Sequence, residues 1–114
     1  MALALFAEIH VADFDRALAW YERLLGAPPS FAPHATEVVW ELAENRSIAV
    51  ELDAERAGGC AVTAVVDDLD SRVAASAERG IEPAERETYS NGVRKAVYRD
   101  PDGNEIGFAW VPKG

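Results

Sequence analysis

A chain of 114 residues has room for one hydrophobic core and is short for two independent ones, so a single domain is expected. Its formal net charge of −9 argues against nucleic acid or an anionic membrane as partner, because both select a basic surface. The single cysteine, Cys60, cannot form an internal disulfide; no apolar run approaches the ~18 residues of a membrane span, and Met1 to Phe6 lack the basic start and apolar core of a signal peptide, so a cytoplasmic location is expected.

Ala7, Ile9 and Val11 alternate with Phe6, Glu8 and His10, which predicts a strand with one face on a core and a different environment opposite. A helix follows. Asp13 is its cap, Phe14, Ala17, Leu18, Tyr21 and Leu25 recur at helical spacing, Arg23 suits the last turn, and Gly26 with Pro28 and Pro29 stops it. Three shorter strands are expected at about Ser30 to Pro33, Glu37 to Ala43 and Ser47 to Asp53, with Glu44-Asn45-Arg46 as the tight turn between the last two.

The second half repeats this order. Val62, Ala64 and Val66 alternate as a strand, Asp68 caps a helix carrying Leu69, Val73 and Ala77, and Gly80 with Pro83 ends it. Val11-Ala12-Asp13-Phe14-Asp15 and Val66-Asp67-Asp68-Leu69-Asp70 mark the same joint in each half, an internal repeat. Strands are then expected at about Arg86 to Tyr89, Arg94 to Arg99 and Glu105 to Val111. Asp100-Pro101-Asp102-Gly103 joins the last two, Pro101 presetting a turn dihedral and Gly103 supplying a positive φ. The chain is one domain of two βαβββ modules, residues 1–57 and 58–114.

Those two modules, the Trp20-Tyr21 pair in the first helix, Leu25-Gly26 after it and the Asp100 to Gly103 turn before the final strand together make a pattern. It resembles the vicinal oxygen chelate superfamily of glyoxalases, bleomycin-resistance proteins and ring-cleaving dioxygenases. The resemblance implies an α+β fold, two tandem βαβββ modules forming curved mixed sheets around a concave cleft, and a homodimer at this length. Metal-dependent members carry one ligand on the first and one on the last strand of each module. Transferred by spacing from the valine and glycine landmarks, those positions are Phe6, Glu51, Ala61 and Gly107. Only Glu51 offers a donor, so no metal and no cofactor are expected, as in the metal-free bleomycin-resistance-like branch. A one-residue slip would bring in Glu8, Cys60 or Glu105, but would turn Ile9, Val62 or Ile106 off the core.

Glu51 alternates with Ile48, Val50 and Leu52 and is expected on the concave side; its structural alternative is a rim salt bridge to Lys95 or Arg99. His10 shares the Phe6 and Glu8 face, whereas His34 reads as a solvated side chain in a polar loop and Cys60 as a packed thiol. Phe6 at a vacated ligand position beside Gly107 suggests an apolar slot, and Trp40 joins it or not according to the length of the Glu44 to Arg46 turn. The expected ligand contacts are Phe6, Trp40 and Val97 for area, with Glu8, His10, Glu51 and Lys95 orienting polar groups beside Gly107.

The function expected from these residues is metal-independent binding of a small organic molecule, sequestering a cationic or aromatic compound such as an antibiotic. The alternative is a metal-free isomerase or lyase with Glu51 or His10 as general base. A third class is a scaffold whose pocket is filled by its own side chains. Nucleic acid and membrane are not expected as partners.

Overall fold

The computed structural model describes residues 3–113. Its elements run β1 (Leu5–Val11), α1 (Phe14–Leu25), β2 (Phe31–His34), β3 (Glu37–Ala43), β4 (Arg46–Leu52), β5 (Ala61–Val65), α2 (Leu69–Glu78), β6 (Glu85–Thr88), β7 (Arg94–Arg99) and β8 (Glu105–Trp110). This is βαβββ twice, in an α+β fold. Each module makes a four-stranded mixed sheet, ordered β1-β4-β3-β2 and β5-β8-β7-β6, with the first and last strands parallel and the rest antiparallel.

Helix α1 follows its sequence signals. Asp13 accepts from the Arg16 amide at 3.1 Å, and Gly26 closes the helix at φ 80° with its amide on the Glu22 carbonyl. The buried stripe is Ala17, Trp20, Tyr21 and Leu24, with Phe14, Leu18 and Leu25 at its margins. Helix α2 departs from expectation at its start: the Asp68 carboxylate caps no amide and instead takes the Arg72 guanidinium at 2.7 Å. It buries little apolar surface, and its Ser76 hydroxyl pairs with the Tyr98 hydroxyl at 2.9 Å inside the core.

One core joins the two modules, built from α1, α2 and the helix-facing residues of both sheets, among them Ile9, Val11, Trp40, Ile48, Val50, Ile106 and Phe108. Burying each large apolar side chain contributes about 1.5–3 kcal/mol before entropy is charged against it. Trp40 belongs here and not on the opposite face. The β3–β4 turn holds only Glu44 and Asn45 between the paired Ala43 and Arg46, with Asn45 at φ 59° and a bulge between Glu41 and Ala43. That register sets Trp40 opposite Ile48, its indole donating to the Ala27 carbonyl at 2.9 Å and its ring 5.9 Å from Tyr21.

The turn between β7 and β8 fastens the modules together. Asp100 accepts from the amides of Asp102 and Asn104, and Gly103 sits at φ 91°. Asp102 accepts from the Ala12 amide, the Tyr21 hydroxyl donates to Asp100 at 2.8 Å, and Asn104, fully buried, donates to the His10 carbonyl at 2.9 Å. The Cys60 thiol donates to the Glu8 carbonyl at 3.2 Å. Two carbonyls along β1, an edge strand of its sheet, are thus satisfied by groups from the second module, which covers that edge.

Candidate functional site

Because side chains alternate across a strand, the residues of each sheet that do not face the helices form rows that the register fixes. In the first sheet one row reads Phe6, Ser47, Glu41, the next Glu8, Ala49, Val39, Phe31, and the third His10, Glu51, Glu37, His34. Val39 and Ala49 are buried at the centre while Phe6 and Phe31 stay nearly half exposed, so the face has an apolar floor with aromatic rings at its margins. Four carboxylates and two imidazoles occupy these rows, and neither lysine nor arginine does.

The third row is a chain of contacts. His10 Nε2 lies 3.8 Å from Glu51 Oε1, and His34 Nε2 lies 3.3 Å from Glu37 Oε1 and 3.4 Å from Glu51 Oε2. His34 Nδ1 accepts from the Thr36 amide at 3.3 Å. Glu8, in the row beside, has its carboxyl pushed above the usual carboxylate range, first by burial, then by the charge of Glu37 and a hydrogen bond with it, then by Glu51, with His10 acting in the opposite sense. Carboxylates gathered this closely make this part of the face strongly acidic.

The second sheet is different in charge. Its rows read Ala61, Glu105, Arg99; Thr63, Gly107, Val97, Glu85; and Val65, Ala109, Lys95, Glu87. Lys95 and Arg99 both lie here, Arg99 paired with Glu85 and Glu105, so neither partners Glu51. Val97 is 1% exposed and has little area to offer a ligand. The expected apolar slot beside Gly107 is filled: a Cβ there would meet the Lys95 side chain at 2.6 Å and the Thr63 hydroxyl at 3.3 Å.

Register also moves one transferred position. Glu8 and Thr63 stand at the same distance before the repeated valines Val11 and Val66, and their strand partners are Ala49 and Gly107. Ala49, not Glu51, is therefore the first-module counterpart of Gly107, and Glu51 corresponds to Ala109. The family's four metal positions become Phe6, Ala49, Ala61 and Gly107, none with a side-chain donor. They do not fit a metal.

Of the residues expected at the site, the first sheet brings together Phe6, Glu8, His10 and Glu51; Lys95, Val97 and Gly107 lie on the second sheet, and Trp40 lies in the core. Phe31, His34, Glu37 and Val39 are additions. His34 and Glu37 flank a two-residue turn and pair directly, a signal that the spacing of a histidine and a glutamate around Ala35-Thr36 carried. Cys60 Sγ is 4.0 Å from His10 Nδ1, but its proton is committed to the Glu8 carbonyl and its thiol packs against the core. Two grooves lie elsewhere, one of about 430 Å³ along Leu5, Ala7, Val62 and Phe108 and one of about 440 Å³ along Val65, Asp67, Arg72 and Trp110. Neither is lined by Glu8, His10 or Glu51.

Two tandem βαβββ modules, each making a four-stranded mixed sheet with its first and last strands parallel, define the class of fold. A family model for the Glyoxalase/Bleomycin resistance protein/Dioxygenase superfamily matches residues 4–108, and the chain belongs to that superfamily. It is 52% identical to a glyoxalase / bleomycin resistance protein from Catenulispora acidiphila DSM 44928, over 97% of this chain and 100% of that one, with a TM-score of 0.94. The same fold recurs in lactoylglutathione lyase from Agrobacterium tumefaciens, at 17% identity over 96% and 94% of the chains and a TM-score of 0.73. It recurs again in an integron cassette protein of Vibrio cholerae, at 20% identity over 98% and 97% and a TM-score of 0.73. Among curated proteins, none matches.

Proposed function

We propose that this chain binds a small, cationic, aromatic molecule on the open face of its first sheet, without a metal at the family's four positions, and acts by sequestering it. The observation that carries this reading is the convergence of Glu8, Glu37 and Glu51 beside the exposed rings of Phe6 and Phe31, on a sheet face free of lysine and arginine. A cation there gains from the carboxylates, and a planar group gains from the rings, each contact contributing on the order of 1 kcal/mol. An anion meets only repulsion. The test is calorimetric titration with pairs of planar dyes matched in shape and opposite in charge, in buffer containing a chelator. Preference for the cation supports the reading; equal or reversed preference contradicts it.

A second reading, a metal-free isomerase or lyase, draws on the 3.8 Å approach of His10 and Glu51, which gives either residue a partner for holding or passing a proton. Exchange of a substrate C–H proton with deuterated solvent, lost in Glu51→Gln, would favour it over sequestration.

A further inference from the structure

The third row of the first sheet carries an electrostatic cost of its own. Glu37 and Glu51 are directly opposed cross-strand partners, a placement in which like charges destabilise the sheet. Their carboxylates nonetheless converge with the His34 imidazole, and one donor atom from each lies within 4.8 Å of the other two. Donors bonded at about 2.0–2.1 Å to a tetrahedral ion sit about 3.3 Å apart. His34 Nε2 stands 3.3 Å from Glu37 Oε1 and 3.4 Å from Glu51 Oε2.

We propose that His34, Glu37 and Glu51 form a divalent transition-metal site of the zinc type, one row away from the family's own metal positions and on different strands. One imidazole with two carboxylates matches zinc, cobalt and nickel better than calcium or magnesium, whose ligand sets are oxygen alone. Three protein donors leave a coordination position open to water or to a ligand atom. His10, on the far side of Glu51 from His34, steadies that carboxylate and is a positioning residue rather than a ligand. With no metal, the Thr36 amide donates to His34 Nδ1 and the imidazole offers Nε2–H to the carboxylates. An ion held at Nε2 would need the other tautomer, with the proton on Nδ1 toward the Thr36 hydroxyl at 3.3 Å and the Thr36 amide bond to Nδ1 given up. This donor set draws His34 and Glu37 from outside Phe6, Glu51, Ala61 and Gly107, the positions that carry the expectation of no metal. It does not depend on the organic-cation reading, although an ion here would neutralise carboxylates that reading uses.

The test titrates the full chain, stripped with chelator and returned to metal-free buffer, with Zn²⁺ or Co²⁺ alone, read by native mass spectrometry and by the visible spectrum of Co²⁺. The expected result is one ion per chain, a four-coordinate cobalt spectrum, and affinity reduced by at least about tenfold in both His34→Ala and Glu37→Gln, with a smaller loss in His10→Ala. His34 is exposed at a strand end, so its variant is expected to keep the fold, checked by circular dichroism without metal, and it carries the test if Glu37→Gln fails to fold. No stoichiometric ion at millimolar Co²⁺, or binding that survives His34→Ala, or binding lost in His10→Ala but not in His34→Ala, overturns the site. Dye selectivity measured in chelator is unaffected by any of these outcomes, so failure here and failure of the organic-cation reading are separable.

Discussion

Asn104 donates its side-chain amide to the His10 carbonyl at 2.9 Å, so the turn that closes the second module grips the strand that carries the first module's site. The same side chain accepts from the Cys60 amide at 3.0 Å and donates to Asp100 at 2.8 Å. Replacing it by alanine strands several buried polar groups at once. Asn104→Ala is expected to cost about 2–3 kcal/mol in urea unfolding and to weaken ligand binding by loosening His10; a loss under 0.5 kcal/mol would mean the turn does not hold the modules.

Tyr21 ties α1 to the same turn through Asp100. Burial first, and the Asp100 charge second, push its hydroxyl far above the ordinary tyrosine range. The unfolded chain ionises this group near pH 10 and the folded chain does not, so its contribution is complete at neutral pH and is lost as pH rises past about 10. Tyr21→Phe is expected to lower stability by about 1–3 kcal/mol at pH 7 and to flatten the decline above pH 10. Because Tyr21 and Asn104 share Asp100, the double variant should lose less than the sum.

Glu8 works in the opposite direction. Its raised carboxyl pKa means that ionising it costs the folded state, so its contribution favours folding in acid and is lost as pH rises through the folded value, which lies above the ordinary 4.5. Glu8→Gln removes the charge and supplies an amide N–H that can donate to Glu37. Thermal unfolding should show this variant more stable than the parent at pH 7, with the difference vanishing near pH 3.

A homodimer remains the expected assembly, because β2 and β6 are four-residue strands at open sheet edges and Leu5, Leu42 and Val65 are exposed around the apolar groove. Light scattering should give twice the chain mass at micromolar concentration. A monomer throughout would leave the ligand face to be completed within one chain.

The architecture was legible because its signals are local: a repeated valine and aspartate joint, a cap and a glycine stop for α1, and turn chemistry written into Asp100 to Gly103. Which face a residue takes on β3 was not. Trp40 turns inward through a two-residue turn and a bulge, neither fixed by nearby sequence. Row membership depends on pairing between distant strands, so His34 read as a loop residue and Glu51 stood in for Ala49. The space beside Gly107 is not legible in sequence for a related reason: the lysine that fills it, Lys95, comes from the neighbouring strand β7, and a glycine's sequence context does not say what lies across it.

The carboxylates of the first sheet are the centre of the functional reading, and the most direct measurement is the ratio of affinities for a cationic and an anionic planar dye of the same shape. It is taken in chelator, on the parent chain and on the Glu8→Gln, Glu51→Gln double variant. The account predicts a ratio well above tenfold in the parent that collapses toward one in the variant, chiefly through loss of cation affinity. A ratio near one in the parent, or one that the double variant leaves unchanged, would contradict it.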